Sequence, residues 1–193
     1  MTASSDLSVN GSRASYARLE QSDVSEYRLS EREAKFIAAR DSFYMATVSE
    51  TGWPYIQHRG GAEGFVRIID DKTVGFADFS GNRQYISVGN VRLNDRVSLF
   101  FMDYANRMRL KLLGRLKLVG EEDSDVLKQL YVPGYPARVE RGMIISVEGY
   151  DWNCPQHINP RFSRSQVMSI VTPLNERIVE LETLLRLGKN RAH

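Results

Sequence analysis

Arg107-Met108-Arg109-Leu110-Lys111-Leu112-Leu113-Gly114-Arg115-Leu116-Lys117-Leu118 sets Met108, Leu110, Leu112, Leu116 and Leu118 in alternation with Arg107, Arg109, Lys111, Arg115 and Lys117. A period of two belongs to a strand, whose successive side chains face opposite ways, so this segment predicts a strand with one buried and one basic face. For Lys111, Arg115 and Lys117 a solvated outer face accounts for the charge. Just upstream, residues 97–102 are continuously apolar (Val-Ser-Leu-Phe-Phe-Met, with one Ser), as in a central strand.

Working outward, residues 43–48 and 53–58 are rich in aromatic and β-branched residues and flank Glu50-Thr51-Gly52, which predicts a hairpin. Residues 65–69 and 73–79 form a second pair around Asp70-Asp71-Lys72, and residues 143–147 add a further strand. At least six strands between residues 43 and 148 predict a mainly β (α+β) fold, a closed antiparallel barrel with helices at both termini.

Ser30 with Glu33 three residues on makes a capping box, so a helix should run from there to about residue 40 and present Ala34, Ile37 and Ala38. A short amphipathic helix over residues 12–22 is read from Tyr16 and Leu19, and another helical stretch passes through Tyr85, Ile86 and Val88. Residues 121–131 read as a helix that Pro133-Gly134-Tyr135-Pro136 ends. Thr172 as cap and Pro173 at the first position start a last helix, in which Leu174, Ile178, Leu181 and Leu185 follow coiled-coil spacing. The expected organisation is an arm (1–28), a barrel domain (29–171) and a C-terminal helix (172–193).

Composition narrows the function classes. Twenty-six basic and 24 acidic residues leave a formal charge of +2, too little for a dedicated nucleic-acid binder. No apolar run of about 18 residues crosses a bilayer. The N-terminus carries no secretory signal, so a cytoplasmic location is expected. Single Cys154 forms no internal disulfide and reads as an inert thiol, while His58, His157 and His193 are too scattered to predict a metal site.

No Ser-His-Asp order, nucleophile elbow, Walker loop or dinucleotide fingerprint is present. What remains is polar and cationic residues at strand ends: Gln57-His58-Arg59-Gly60-Gly61, then Asp78-Phe79-Ser80-Gly81-Asn82-Arg83-Gln84, then Arg107 and Arg109. Guanidinium groups and a Gly-containing turn before a helix suit a dianionic phosphate, through bidentate hydrogen bonds and backbone N–H donors. Tyr150-Asp151-Trp152-Asn153-Cys154-Pro155-Gln156-His157-Ile158 is a second polar-aromatic segment. Trp152 with Asn153, Gln156 and His157 either faces a ligand, with His157 and Trp152 as catalytic candidates, or closes a packed edge.

Over about residues 40 to 120 the chain resembles the flavin-binding split barrels similar to pyridoxamine-phosphate oxidase. Four blocks carry the likeness in order: Ala46-Thr47-Val48 to Gly52-Trp53-Pro54-Tyr55, Gly75-Phe76-Ala77-Asp78-Phe79-Ser80-Gly81-Asn82-Arg83, Asn94-Asp95-Arg96-Val97-Ser98-Leu99-Phe100-Phe101, and Leu113-Gly114-Arg115-Leu116. The resemblance implies a six-stranded split barrel and FMN held between the two subunits of a homodimer. Gln57, His58, Arg59, Asp78, Ser80, Asn82, Arg83, Gln84 and Arg109 become its cofactor candidates. An FMN-dependent oxidoreductase of an unidentified small molecule is the expected activity; a non-catalytic flavin, deazaflavin or haem binder on the same barrel is the alternative. Two departures separate the chain from the oxidases proper. Gln57 and Ala62 stand where those enzymes carry Arg and Lys, which leaves Arg59 as the cation, and their substrate residues have no counterpart in residues 131–141 or the C-terminal helix.

Overall fold

The computed structural model describes residues 27–81, 84–152 and 155–190. The expected helix over residues 12–22 lies outside them, as do Asn82, Arg83, Asn153 and Cys154. In chain order the elements are α1 (Glu31–Ala38), β1 (Ser42–Val48), β2 (Pro54–Gly60), β3 (Arg67–Asp70), β4 (Thr73–Phe79), α2 (Ile86–Leu93), β5 (Arg96–Asp103), β6 (Met108–Val119), α3 (Ser124–Leu130), β7 (Val139–Trp152) and α4 (Arg164–Asn190). Short 3-10 turns stand at Glu121–Asp123 and Pro155–His157.

All strands join one antiparallel sheet in the order β2-β1-β5-β6-β7-β4-β3. This corrects two expectations: among the described residues the strands number seven rather than six, and the sheet is open rather than closed, since β2 and β3 end it without pairing with each other. β3 has only four residues and covers only Thr73–Gly75 of β4, so the edge of β4 from Phe76 to Phe79 pairs with no strand on that side. That bare edge is where the barrel is split.

Alternation along β6 is as the sequence predicts, with Leu110, Leu112 and Leu116 buried and Arg115 and Lys117 exposed. Leu110 pairs with Phe101 of β5, and Phe101 in turn with Phe43 of β1, so these residues line one inner face. Phe43 packs edge-on to Phe76 at 5.1 Å and against Phe101 at 4.9 Å, and each of the three rings is about 1% exposed or less. Burying each such ring is worth roughly 1.5–3 kcal/mol.

Gly114 permits the close pairing of β6 with β7. A Cβ there would stand 2.4 Å from the carbonyl oxygen of Ser146, at the point where the register slips between Leu113 and Gly114. β7 is longer than expected, 139–152 rather than 143–147, and therefore takes in Tyr150, Asp151 and Trp152.

The helices divide into predicted and corrected. The Ser30 capping box is present: the Ser30 N–H donates to Glu33 Oε2 at 3.0 Å and the Arg32 N–H to Ser30 Oγ at 3.2 Å. The last helix, in contrast, begins at Arg164, not at Thr172-Pro173. Its start is a second capping box, in which the Ser163 N–H donates to Gln166 Oε1 at 2.8 Å and the Gln166 N–H to Ser163 Oγ at 3.2 Å. Pro173 consequently sits inside a helix, where the lost N–H and the ring clash cost about 3 kcal/mol. Among the described residues no helix is long and apolar enough to cross a membrane.

Candidate functional site

The split in the sheet gathers several of the predicted residues. β2 pairs Gln57 with Met45 and Arg59 with Phe43, so both side chains follow their core partners to the inner face. Asp78 is two residues beyond the core ring Phe76 on β4 and faces the same way. Arg59 Nη1 meets Asp78 Oδ1 at 2.6 Å, across strands that share no hydrogen bond. From the other side Arg141, opposite Asp78 in the β4–β7 ladder, brings its Nε to 3.4 Å of Asp78 Oδ2 and its Nη2 to 3.1 Å of Glu140 Oε2.

Asp78 is only 6% exposed. Burial outweighs the two guanidinium groups and leaves its carboxyl above the ordinary Asp value.

α2 closes the inner end of this cleft. Ser87 Oγ donates to Gln57 Oε1 at 3.0 Å, and Asn90 Nδ2 to Thr47 Oγ1 at 2.9 Å in the interior. Tyr85 caps α2 in a left-handed conformation (φ 51°) without a side-chain hydrogen bond, while its hydroxyl donates to Glu140 Oε1 at 3.2 Å. The result is a cleft of about 240 Å³, bordered by Gln57, Arg59, Asp78, Gln84, Tyr85 and Glu140 among others.

Its charges largely cancel within the Arg59, Asp78, Arg141 and Glu140 network. An anion here meets N–H donors rather than a strong positive field: the first turn of α2 and the carboxamides of Gln57 and Gln84, while Arg59 Nε is buried with no hydrogen-bond acceptor and is reached when the side chain turns out of its ion pair. This donor set fits a phosphate ester.

The other sequence candidates stand elsewhere. Ser80 is exposed, and its backbone N–H donates to the Arg138 carbonyl at 2.8 Å. His58 is on the outer face of β2 with its ring 5.5 Å from that of Tyr44, and it borders a smaller opening of about 130 Å³ beside Arg59 and Asp78. Arg109 also lies on the outer face, over the Phe100 ring at 5.5 Å and 3.5 Å from Asp151. Because Leu110 shares the inner face with Phe43 and Arg59, neighbouring Arg109 is on the opposite side of the sheet from Arg59.

Trp152 is held against α1. Its Nε1 donates to Glu33 Oε1 at 2.7 Å, Phe36 packs edge-on at 4.8 Å, and the Arg32 guanidinium covers the ring at 4.2 Å. Burial pushes the Glu33 carboxyl up, but the hydrogen bonds from Ser30, Trp152 and the backbone outweigh it and hold it below the ordinary value. Gln156 and His157 occupy an exposed 3-10 turn.

Glu140 and Tyr85 line the cleft, and Arg141 and Ser87 bond to its lining residues, without having been singled out in the sequence as site residues. Arg141 is brought to Asp78 only by pairing 63 residues away along the chain, and no local pattern separates it from a solvated charge.

The model of the pyridoxamine 5'-phosphate oxidase family matches residues 29–144, well over half of the 193-residue chain. The chain belongs to that family. Among solved structures of similar fold, HupZ of Group A Streptococcus is 21% identical, with a TM-score of 0.52 over 69% of this chain and 100% of that one. A putative pyridoxamine 5'-phosphate oxidase from Lactobacillus delbrueckii is 15% identical, with a TM-score of 0.50 over 66% of this chain and 96% of the other. No curated protein sequence matches the chain. The pyridoxamine 5'-phosphate oxidase family match ends within β7, and everything from Ile145 to α4 lies beyond it.

Proposed function

We propose that this protein binds FMN at a site shared by two copies of the chain and works as an oxidoreductase on a small molecule. The observation that carries the reading is the position of Arg59 and Arg109 on opposite faces of one sheet. A flavin that touches both takes Arg59 from one subunit and Arg109 from the other, which supports a shared site. The single-subunit cleft, at about 240 Å³, is also smaller than the roughly 300–1,000 Å³ typical of ligand pockets, in keeping with a second subunit completing it.

The phosphate takes the donors around Arg59, Gln57, Gln84 and the first turn of α2, with Asn82 and Arg83 as further candidates named by the sequence. Arg109 of the second copy meets the ring system, next to Phe100. Bound FMN supplies the hydride or electron transfer, and the protein orients it and tunes its surroundings. Trp152, through Glu33 and Phe36, serves to fasten β7 to α1.

The test is to purify the protein without added flavin, record its visible spectrum, and titrate FMN. Absence of flavin absorbance together with no binding on titration overturns the reading. Mass spectrometry of any released ligand separates FMN from a deazaflavin or haem.

A sharper test mixes Arg59→Ala and Arg109→Ala chains. If each site takes Arg59 from one subunit and Arg109 from the other, every mixed dimer regains one intact site, about a quarter of all sites in a random mixture. No recovery places both residues on one subunit's site.

A further inference from the structure

We infer that α4 is an oligomerisation element that pairs in parallel with α4 of a second copy as a two-stranded coiled coil. From Gln166 to Leu187 every residue of α4 is exposed except Val171, which is half-buried, so the barrel does not hold this helix. Val167, Val171, Leu174, Ile178, Leu181 and Leu185 nevertheless follow four-three-four-three-four spacing on one stripe, with Leu174 58% and Leu185 65% exposed. An isolated helix with an interior proline is marginal in water, and a stripe of this kind is stable when another apolar seam covers it.

The sequence chooses the occupant. Taking Val171 as the first core position of a heptad, Val171, Ile178 and Leu185 fall at a and Val167, Leu174 and Leu181 at d. The two central layers, Val171 with Leu174 and Ile178 with Leu181, put β-branched residues at a and leucine at d, the combination that favours parallel pairs of helices. Pro173 falls at c, away from the seam.

Charge agrees with the same arrangement. Arg177 falls at g and Glu182 at the following e, the two positions that face each other between parallel chains, so Arg177 of each copy meets Glu182 of the other. Within one chain Arg177 bonds Glu180 at 2.5 Å on an exposed surface, which leaves it free to exchange partners. Antiparallel pairing sets g against g, and those positions are Ile170, Arg177 and Leu184, which bring no carboxylate to Arg177. Because the family match ends before α4, this device belongs to this chain's own extension. It is independent of the flavin reading.

Site-directed oxidative cross-linking of the full chain tests it. In a Cys154→Ser background, Leu181→Cys puts a thiol at d and Val179→Cys puts one at the outward b position, both on an exposed helix outside the barrel core. With diamide, the Leu181→Cys protein is expected to become a covalent dimer while the Val179→Cys protein stays monomeric on non-reducing gels. Equal cross-linking at the two positions, or none at Leu181→Cys, overturns the proposal. Adding Arg177→Glu should slow Leu181→Cys cross-linking at low salt several-fold, and adding Glu182→Arg as well should restore it; failure of the second change to restore it overturns the parallel register. Cross-linking needs no flavin, so a protein that cross-links but binds no FMN removes the proposed function and leaves the coiled coil standing.

Discussion

Arg59 on β2 and Asp78 on β4 form a 2.6 Å ion pair across two strands that share no hydrogen bond. Both side chains are largely buried, and Arg141 supports Asp78 from the opposite flank. Removal of one partner from a buried pair costs about 3–5 kcal/mol, because the charge left behind is uncompensated. With Arg141 still in place, Arg59→Ala should fall at the low end, about 3 kcal/mol, measured by urea denaturation. A loss below roughly 1 kcal/mol shows that the pair does not hold the split together.

The same variant should depend on pH in a definite direction. Burial already raises the folded-state value of Asp78 above its ordinary one, and loss of Arg59 raises it further. A group raised on folding contributes stability that is complete below its unfolded value and is lost as pH rises through the folded value. The stability gap between the native protein and Arg59→Ala should therefore be widest near neutrality and narrow as pH falls into the carboxylate range. A gap that stays constant from about pH 8 to pH 4 identifies packing, not charge, as the cause.

Trp152→Phe keeps an aromatic ring beside Phe36 but deletes the donor to Glu33. A hydrogen bond to a charged group is worth about 1.5–3 kcal/mol, and a loss of that size is expected in thermal or urea unfolding. Glu33 is depressed on folding, so its contribution is present above the unfolded value and disappears as pH falls through the folded one. The Trp152→Phe protein should accordingly lose less stability on acidification than the native protein does. Its FMN content should be unchanged; a large fall in flavin occupancy gives Trp152 a place at the ligand.

Gly114→Ala should be among the most damaging single changes, since the new methyl group meets a backbone carbonyl at 2.4 Å. The ladder between β6 and β7 must part to admit it. A destabilisation of about 3 kcal/mol or a failure to fold is expected, at the upper end for overpacking. Near-native stability on denaturation contradicts the close pairing.

Local chemistry made several of these elements readable. Ser30 and Glu33 announced α1, and the alternation from Met108 to Leu116 announced β6, because both signals lie within a few residues of one another. The start of α4 was also written locally, in Ser163-Arg164-Ser165-Gln166, but Thr172-Pro173 imitates the same signal nine residues on and misplaces the start. The open edge of the sheet and the pairing of Asp78 with Arg141 depend on register between distant strands, which no window of sequence contains. Of the candidate site, the cluster of Gln57, Arg59, Asp78 and Gln84 was legible as residue types, whereas the assignment of Arg59 and Arg109 to opposite faces required the full chain of pairings from β2 to β6.

The short edge strand β3 has one more effect. By stopping at Thr73–Gly75 it leaves the rest of β4 facing β2 across a seam fastened by side chains alone. Widening that seam breaks an ion pair and no strand-to-strand hydrogen bond, so a guest entering there works against a clasp rather than against the wall. A competing anion that draws Arg59 away from Asp78 should open the route to the interior while the sheet itself stays intact, whereas raised salt screens so buried a pair only weakly.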